Sequence, residues 1–189
     1  GDIAQLESIE GFRERMQYEV LGVTGQGQTN YLFNLYTAWY AVQNERVFQF
    51  RLDDKDYETR FIRDVAEDAE TRTFNMTKFN GWRPWAAFLG LGWLIKPGLS
   101  ATRKGEILVP DAAVRLRGVL SQLLADEQII PFGVFAERLA RTCPELDGGV
   151  LFKTCWEKSR RSEQQGNKLS LMLSTGLRQL EKEKAIRLI

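Results

Sequence analysis

Histidine is absent from this 189-residue chain. That removes histidine-based triads, histidine zinc sites and the commonest general base. Cysteine is scarce, with only Cys143 and Cys155. Two thiols at that spacing make neither a disulfide framework nor a zinc site, and they fit buried apolar groups in a reducing cytoplasm. No apolar run approaches the ~18 residues that a membrane span needs. The start, Gly1-Asp2-Ile3, lacks signal-peptide character. Phosphate-cradling GxxxxGK(S/T), dinucleotide-type GxGxxG and zinc-binding HExxH patterns are all missing. A strong net charge is missing too: 26 basic residues stand against 25 acidic ones. Any nucleic-acid signal must therefore come from where the charge sits.

What is present is a globular composition, 43% hydrophobic and 11% aromatic. Residues 2–18 read as a helix with Ile3, Leu6, Ile9 and Phe12 inward. A glycine and glutamine stretch, Gly22 to Gln28, follows. Tyr31 to Gln43 is apolar almost all round, a buried helix capped by Thr29 or Asn30. Arg46 to Leu52 alternates and reads as a short strand. Asp54 to Thr71 is an acidic amphipathic helix with Phe61, Ile62, Val65 and Ala69 inward. Asn80 can cap a helix over Trp82 to Leu89, stopped by Gly90 and Gly92. Gly92 to Pro97 and Glu106 to Pro110 form two strands around a basic turn at Gly98 to Gly105.

The order then restarts. A helix opens at Asp111 and reaches about Asp126. Gln128 to Ile130 is a short strand, and Pro131 suits the first turn of a helix over Phe132 to Thr142. Pro144 and Gly148-Gly149 break the chain before a helix over Val150 to Arg161. A polar linker, Ser162 to Asn167, leads to a long helix over Leu169 to Lys184, and Ala185 to Ile189 reads as a strand. The fold class is mainly α with short β hairpins.

The sequence of elements from Thr29 (helix, strand, helix, helix, hairpin) resembles the winged helix-turn-helix family. That resemblance implies tandem units at 29–110 and 111–189, behind an N-terminal helix and linker at 1–28. Leu173 to Leu188 resembles a recognition helix running into a wing strand. The second unit departs from the pattern by the inserted helix at 150–161 and by having no second wing strand. The segments FLGLGW at 88–93 and PELDGG at 144–149 resemble accessory proteins of bacterial DNA-modification and phage-defence clusters.

Charge placement is the main functional clue. From Thr77 to Lys104 there are five basic residues (Lys78, Arg83, Lys96, Arg103, Lys104) and no acidic one. The segment from Asp53 to Arg72 has eight acidic and four basic residues. Positive charge thus falls on the third helix and wing, where a winged helix meets phosphates. A plain solvated face fits the same residues. Leu151 to Ile189 carries nine basic and four acidic residues. On its last helix Lys168, Ser174, Thr175, Arg178 and Lys182 supply groups that reach phosphates and base edges, with Leu171, Leu173, Leu177 and Leu180 inward. An ordinary amphipathic surface helix fits equally well. Lys158, Arg160 and Arg161 form a further basic knot. Trp82, Trp85, Phe88 and Leu89 sit at core spacing, with a partner-binding patch or stacking on unpaired bases as the alternatives. The acidic groups Asp53, Asp54, Asp56, Glu58 and Asp64, Glu67, Asp68, Glu70 point around one helix and do not converge on a metal.

These readings imply a non-enzymatic, cytoplasmic protein that needs no cofactor or metal. It would bind double-stranded DNA electrostatically through Lys168, Ser174, Thr175, Arg178 and Lys182, with Arg83, Lys96, Arg103 and Lys104. The alternative is an adaptor for a larger ATPase or nuclease. Exposed tryptophans would favour the adaptor, and one positive face joining Arg103 to Arg178 would favour DNA.

Overall fold

The computed structural model describes residues 8–48, 54–65, 75–96, 106–125, 127, 129–159 and 168–189. Among them are eight α-helices, a 3₁₀-helix and one two-stranded antiparallel sheet. Helix α1 spans Ile9–Val20 and is capped by Ser8, whose hydroxyl accepts from the Gly11 amide at 2.9 Å. Its inward face differs from the expected one. Ile9 and Phe12 are exposed, at 66% and 41%, while Gln17 is buried; Ile3 and Leu6 lie outside the described residues. The reason is polar docking. The last carbonyls of a helix need donors, and Arg13 and Gln17 donate to the Phe88 and Leu89 carbonyls at 2.9 and 2.8 Å.

Helix α2, Tyr31–Gln43, is buried without a break from Asn34 to Gln43. Asn30 precedes it in a left-handed conformation and gives no side-chain cap. The chain then enters a 3₁₀-helix over Asn44–Phe48. The expected strand is therefore absent at 46–48, and its remainder at 49–52 lies outside the described residues. Helix α3 covers Asp54–Val65, with Phe61 and Val65 buried and Ile62 partly so, as the amphipathic pattern requires. Ala69 lies outside the described residues.

Helix α4 runs over Met76–Phe88, six residues longer at its start than expected. Asn75 is the cap, its Oδ1 accepting from the Lys78 amide at 3.1 Å. Asn80 is instead one turn inside, where its side chain accepts from Arg83. Tyr36, Trp39 and Tyr40 of α2 interlock with Tyr57 and Phe61 of α3 and with Phe79 and Trp82 of α4. Ring centroids such as Tyr36–Phe61 and Tyr36–Trp82 are 5.0 and 4.7 Å apart. Three polar edges in this cluster are hydrogen-bonded, which offsets the cost of burying them. Trp82 Nε1 donates to Thr37 Oγ1, Tyr40 to the Leu108 carbonyl and Tyr57 to the Val47 carbonyl. Burial pushes the Tyr40 phenol well above its ordinary pKa.

Gly90, in the left-handed region at φ 79°, turns the chain out of α4 into strand β1, Gly92–Ile95. β1 pairs antiparallel with β2, Ile107–Pro110, in the register Gly92↔Pro110 to Ile95↔Ile107. A Cβ at Gly92 would sit 2.3 Å from the Val109 carbonyl oxygen, so only glycine fits this pairing. The turn between the strands lies outside the described residues.

Helix α5, Ala113–Leu124, begins where Asp111 Oδ1 accepts from the Ala113 amide at 2.8 Å. Helix α6 covers Phe132–Thr142 behind Pro131, α7 covers Val150–Ser159, and α8 covers Leu171–Lys182. Ile129 and Ile130 form no strand, and neither do residues 185–189. A strand needs a hydrogen-bonding partner, and among the described residues the sheet pairs only β1 with β2. α7 packs extensively against α2, and the buried residues form one connected core from Leu21 to Leu180.

Candidate functional site

Helix α8 is amphipathic as expected. Met172, Leu173, Gly176, Leu177 and Leu180 are buried, whereas Leu171 is only partly so. At 100° per residue, Ser174, Thr175, Arg178 and Lys182 fall on the opposite side, on one face. Arg178 and Lys182 are exposed, and Ser174 and Thr175 are partly buried. Ser174 Oγ donates to the Leu171 carbonyl at 3.2 Å. Lys168 is exposed just before the helix.

Sequence reasoning missed the continuation of this cationic surface. Lys184 and Arg187 are exposed beyond the helix end. The Leu188 amide donates to Glu181 Oε1 at 3.1 Å, folding this tail back on α8. Among the described residues, Lys168, Arg178, Lys182, Lys184 and Arg187 have no ion-pair partner. Glu183, by contrast, is held by Arg117 of α5 and by Gln179 at 2.8 Å. Those two donors keep its carboxyl below the ordinary value.

The start of α8 is closed to ligands. Ser170 caps it through the Leu173 amide, at 3.1 Å. Asn44 Oδ1 accepts from the Leu171 amide at 2.8 Å. Asp147 takes the Ser170 amide and hydroxyl at 2.6 and 2.5 Å. Burial raises the Asp147 carboxyl above its usual range, and the Ser170 hydrogen bonds oppose that rise.

The four cations expected on the first unit fare differently. Arg83 is half-buried and used internally. It donates to the Glu106 carbonyl at 2.6 Å and lies 4.6 Å from the Phe79 ring centroid, tying α4 to β2. Lys96 is exposed and 3.7 Å from Glu106 Oε1. Arg103 and Lys104 lie outside the described residues, as do Arg160 and Arg161 of the basic knot. Trp82 and Leu89 are buried, but Trp85 and, on β1, Trp93 are exposed, at 46% and 52%. Among the described residues no three Cys, Asp or Glu side chains gather as metal ligands. Cys143 and Cys155 are buried, which pushes both thiols far above their ordinary pKa.

The two signature segments meet at one place, the start of α5. From FLGLGW, the Gly90 carbonyl accepts from the Arg115 amide at 3.2 Å, and a Cβ on Gly90 would strike Val114. From PELDGG, Glu145 Oε1 accepts from Arg115 Nε at 2.9 Å with both side chains buried. The same segment sends Asp147 to the cap of α8. These segments hold α4, α5 and α8 together.

Residues 6–189 match the DpdG-like family. The chain belongs to that family. DpdG is a protein of a DNA-modification cluster, which agrees with what FLGLGW and PELDGG suggested. Comparisons with curated proteins and with solved structures returned no match. Among the described residues no helix is long and apolar enough to cross a membrane.

Proposed function

We propose that this DpdG-like protein is a non-enzymatic, cytoplasmic, DNA-associated component of a DNA-modification system. In this reading it holds duplex DNA by charge, through the exposed face of α8. The observation that carries it is the set of cations on that face and its tail that have no ion-pair partner among the described residues, in a family linked to DNA modification. Arg178 and Lys182 contact phosphates, Lys168 extends the contact, and Ser174 and Thr175 add hydroxyls. The closed start of α8 favours contacts along the helix flank over insertion of its N-terminus into a groove. We read residues 29–110 and 111–189 as two winged-helix-like units, the second without a wing. Binding of a roughly 30-base-pair duplex, followed by anisotropy between about 50 and 200 mM salt, tests this. Several phosphate contacts make affinity fall by about 10³-fold or more over that range. No binding at low salt rejects the reading.

A second reading rests on Trp85 and Trp93, which stand exposed as an adaptor surface requires. It predicts a stable complex with a larger protein of the same system that Trp93→Ala weakens and Arg178→Ala does not.

A further inference from the structure

One exposed aromatic cluster is unused by the α8 face. Phe88, at the end of α4, lies between Phe12 of α1 and Trp85 of α4, with ring centroids 5.7 and 5.8 Å away. Arg13 lies over the Phe88 ring at 5.3 Å and is fixed there by its bond to the Phe88 carbonyl. Phe12 and Trp85 keep 41% and 46% of their surface in solvent. Large aromatics held in place yet half exposed are the geometry on which an unpaired base stacks.

The charge around the cluster selects that occupant over an apolar protein segment. No acidic residue occurs from Thr71 to Gly105. Lys78 lies seven residues before Trp85, on the same face of α4, and is exposed. Gly81 lies between them, where a Cβ would meet nothing within 4 Å, so a ligand backbone can approach the helix closely. On α1, Glu10 and Glu14 lie two residues either side of Phe12 and project from the far side of that helix. Glu19 is neutralised by Arg15 at 2.5 Å.

We infer that Phe12, Trp85 and Phe88, with Arg13 and Lys78, form a stacking platform for single-stranded or locally unpaired DNA, separate from the duplex-binding face of α8. The inference takes the ligand's chemistry from the DNA-associated reading. Enzymes that modify a base must take it out of the stack, and a protein serving them would need a place to receive an unpaired strand.

The test uses a fluorescein-labelled oligo-dT of about 20 nucleotides and the unlabelled strand as a quencher of tryptophan fluorescence. Trp85→Ala is expected to weaken oligo-dT binding by roughly 5- to 100-fold, the range for one lost base–aromatic stack. Phe12→Ala, on the other helix, gives a smaller loss. Trp85→Phe recovers most of the affinity, and duplex affinity changes less than twofold in all three. Arg178→Ala/Lys182→Ala weakens the duplex in the same assay, so failure of one site is distinguishable from failure of the other. Oligo-dT affinity unchanged by Trp85→Ala and Phe12→Ala overturns the proposal. So does self-association, measured by sedimentation, that Trp85→Ala abolishes without touching oligo-dT binding; that result assigns the patch to a second copy of the chain.

Discussion

Removing the Glu145 carboxylate should damage this fold more than removing any surface acid. Arg115 and Glu145 keep 5% and 0% of their side-chain surface, and the bond between them is 2.9 Å. Burial opposes the charge on Arg115, but Glu145 more than restores it, and the guanidinium pKa ends above its ordinary value. Glu145→Ala leaves that charge buried with, among the described residues, only the Thr142 backbone carbonyl, at 3.4 Å, to accept from the guanidinium. Breaking a buried pair from one side costs about 3–5 kcal/mol. A chain of this length loses roughly 2–4 °C of Tm per kcal/mol, so the expected shift is roughly 6–20 °C. The exposed Arg15–Glu19 pair sets the contrast, because Glu19→Ala should cost under about 1 kcal/mol. Replacing both partners, as Arg115→Met/Glu145→Leu, should recover more than half of the loss. Thermal and urea unfolding, read by tryptophan fluorescence, decide the matter. Equal costs for Glu145→Ala and Glu19→Ala would refute the reasoning.

Gly176 lies under the start of α5, where an added Cβ would be 2.8 Å from the Ala113 nitrogen and 2.9 Å from the Ala112 carbon. Gly176→Ala should therefore cost about 1–3 kcal/mol in urea titrations despite better helix propensity. Gly81→Ala, which meets nothing within 4 Å, should stabilise by up to about 1 kcal/mol. Asp147 and Asp111 have carboxyl pKa values raised mainly by burial, so their contribution is fully present below the ordinary carboxylate pKa and is lost as pH rises through the raised values. Asp147→Asn should flatten the pH dependence of Tm above the ordinary carboxylate range. Asp147→Ala should also lose about 2 kcal/mol with the cap of α8. Arg83→Ala should lower stability by about 1.5–3 kcal/mol, because its charged hydrogen bond joins α4 to β2; unchanged melting would return Arg83 to the DNA-facing set.

Elements defined by local patterns were legible in the sequence. The continuous apolar run of α2, the hairpin announced by Gly90 and Gly92, and the spaced leucines of α8 all depend on near neighbours. Where long-range polar pairing decides, local pattern fails. Nothing around Gln17 shows that it docks on the Leu89 carbonyl, and arginines are exposed by default, so the burial of Arg115 could not be read. The alternation in Arg46 to Leu52 promised a strand, but tertiary packing winds Asn44–Phe48 into a 3₁₀-helix. Residues 82, 85 and 88 looked like one inward row. Each step of three leaves the row by 60°, so Trp85 reaches the helix edge and becomes surface, and Phe88, further round, is only partly buried, against Phe12 of α1. The α8 face was legible because charge and apolarity alternate at helical spacing. Its closed N-terminus was not, because Asp147 reaches Ser170 across a loop.

The most direct test of the central claim is the salt dependence of duplex binding, compared between the wild-type chain and Arg178→Ala/Lys182→Ala. A slope of log affinity against log salt of about −0.9 per phosphate contact is expected. Loss of two contacts should flatten that slope by about 1.8 while Tm stays within a few degrees. Parallel slopes for the two proteins would show that α8 does not face DNA, and would contradict the account.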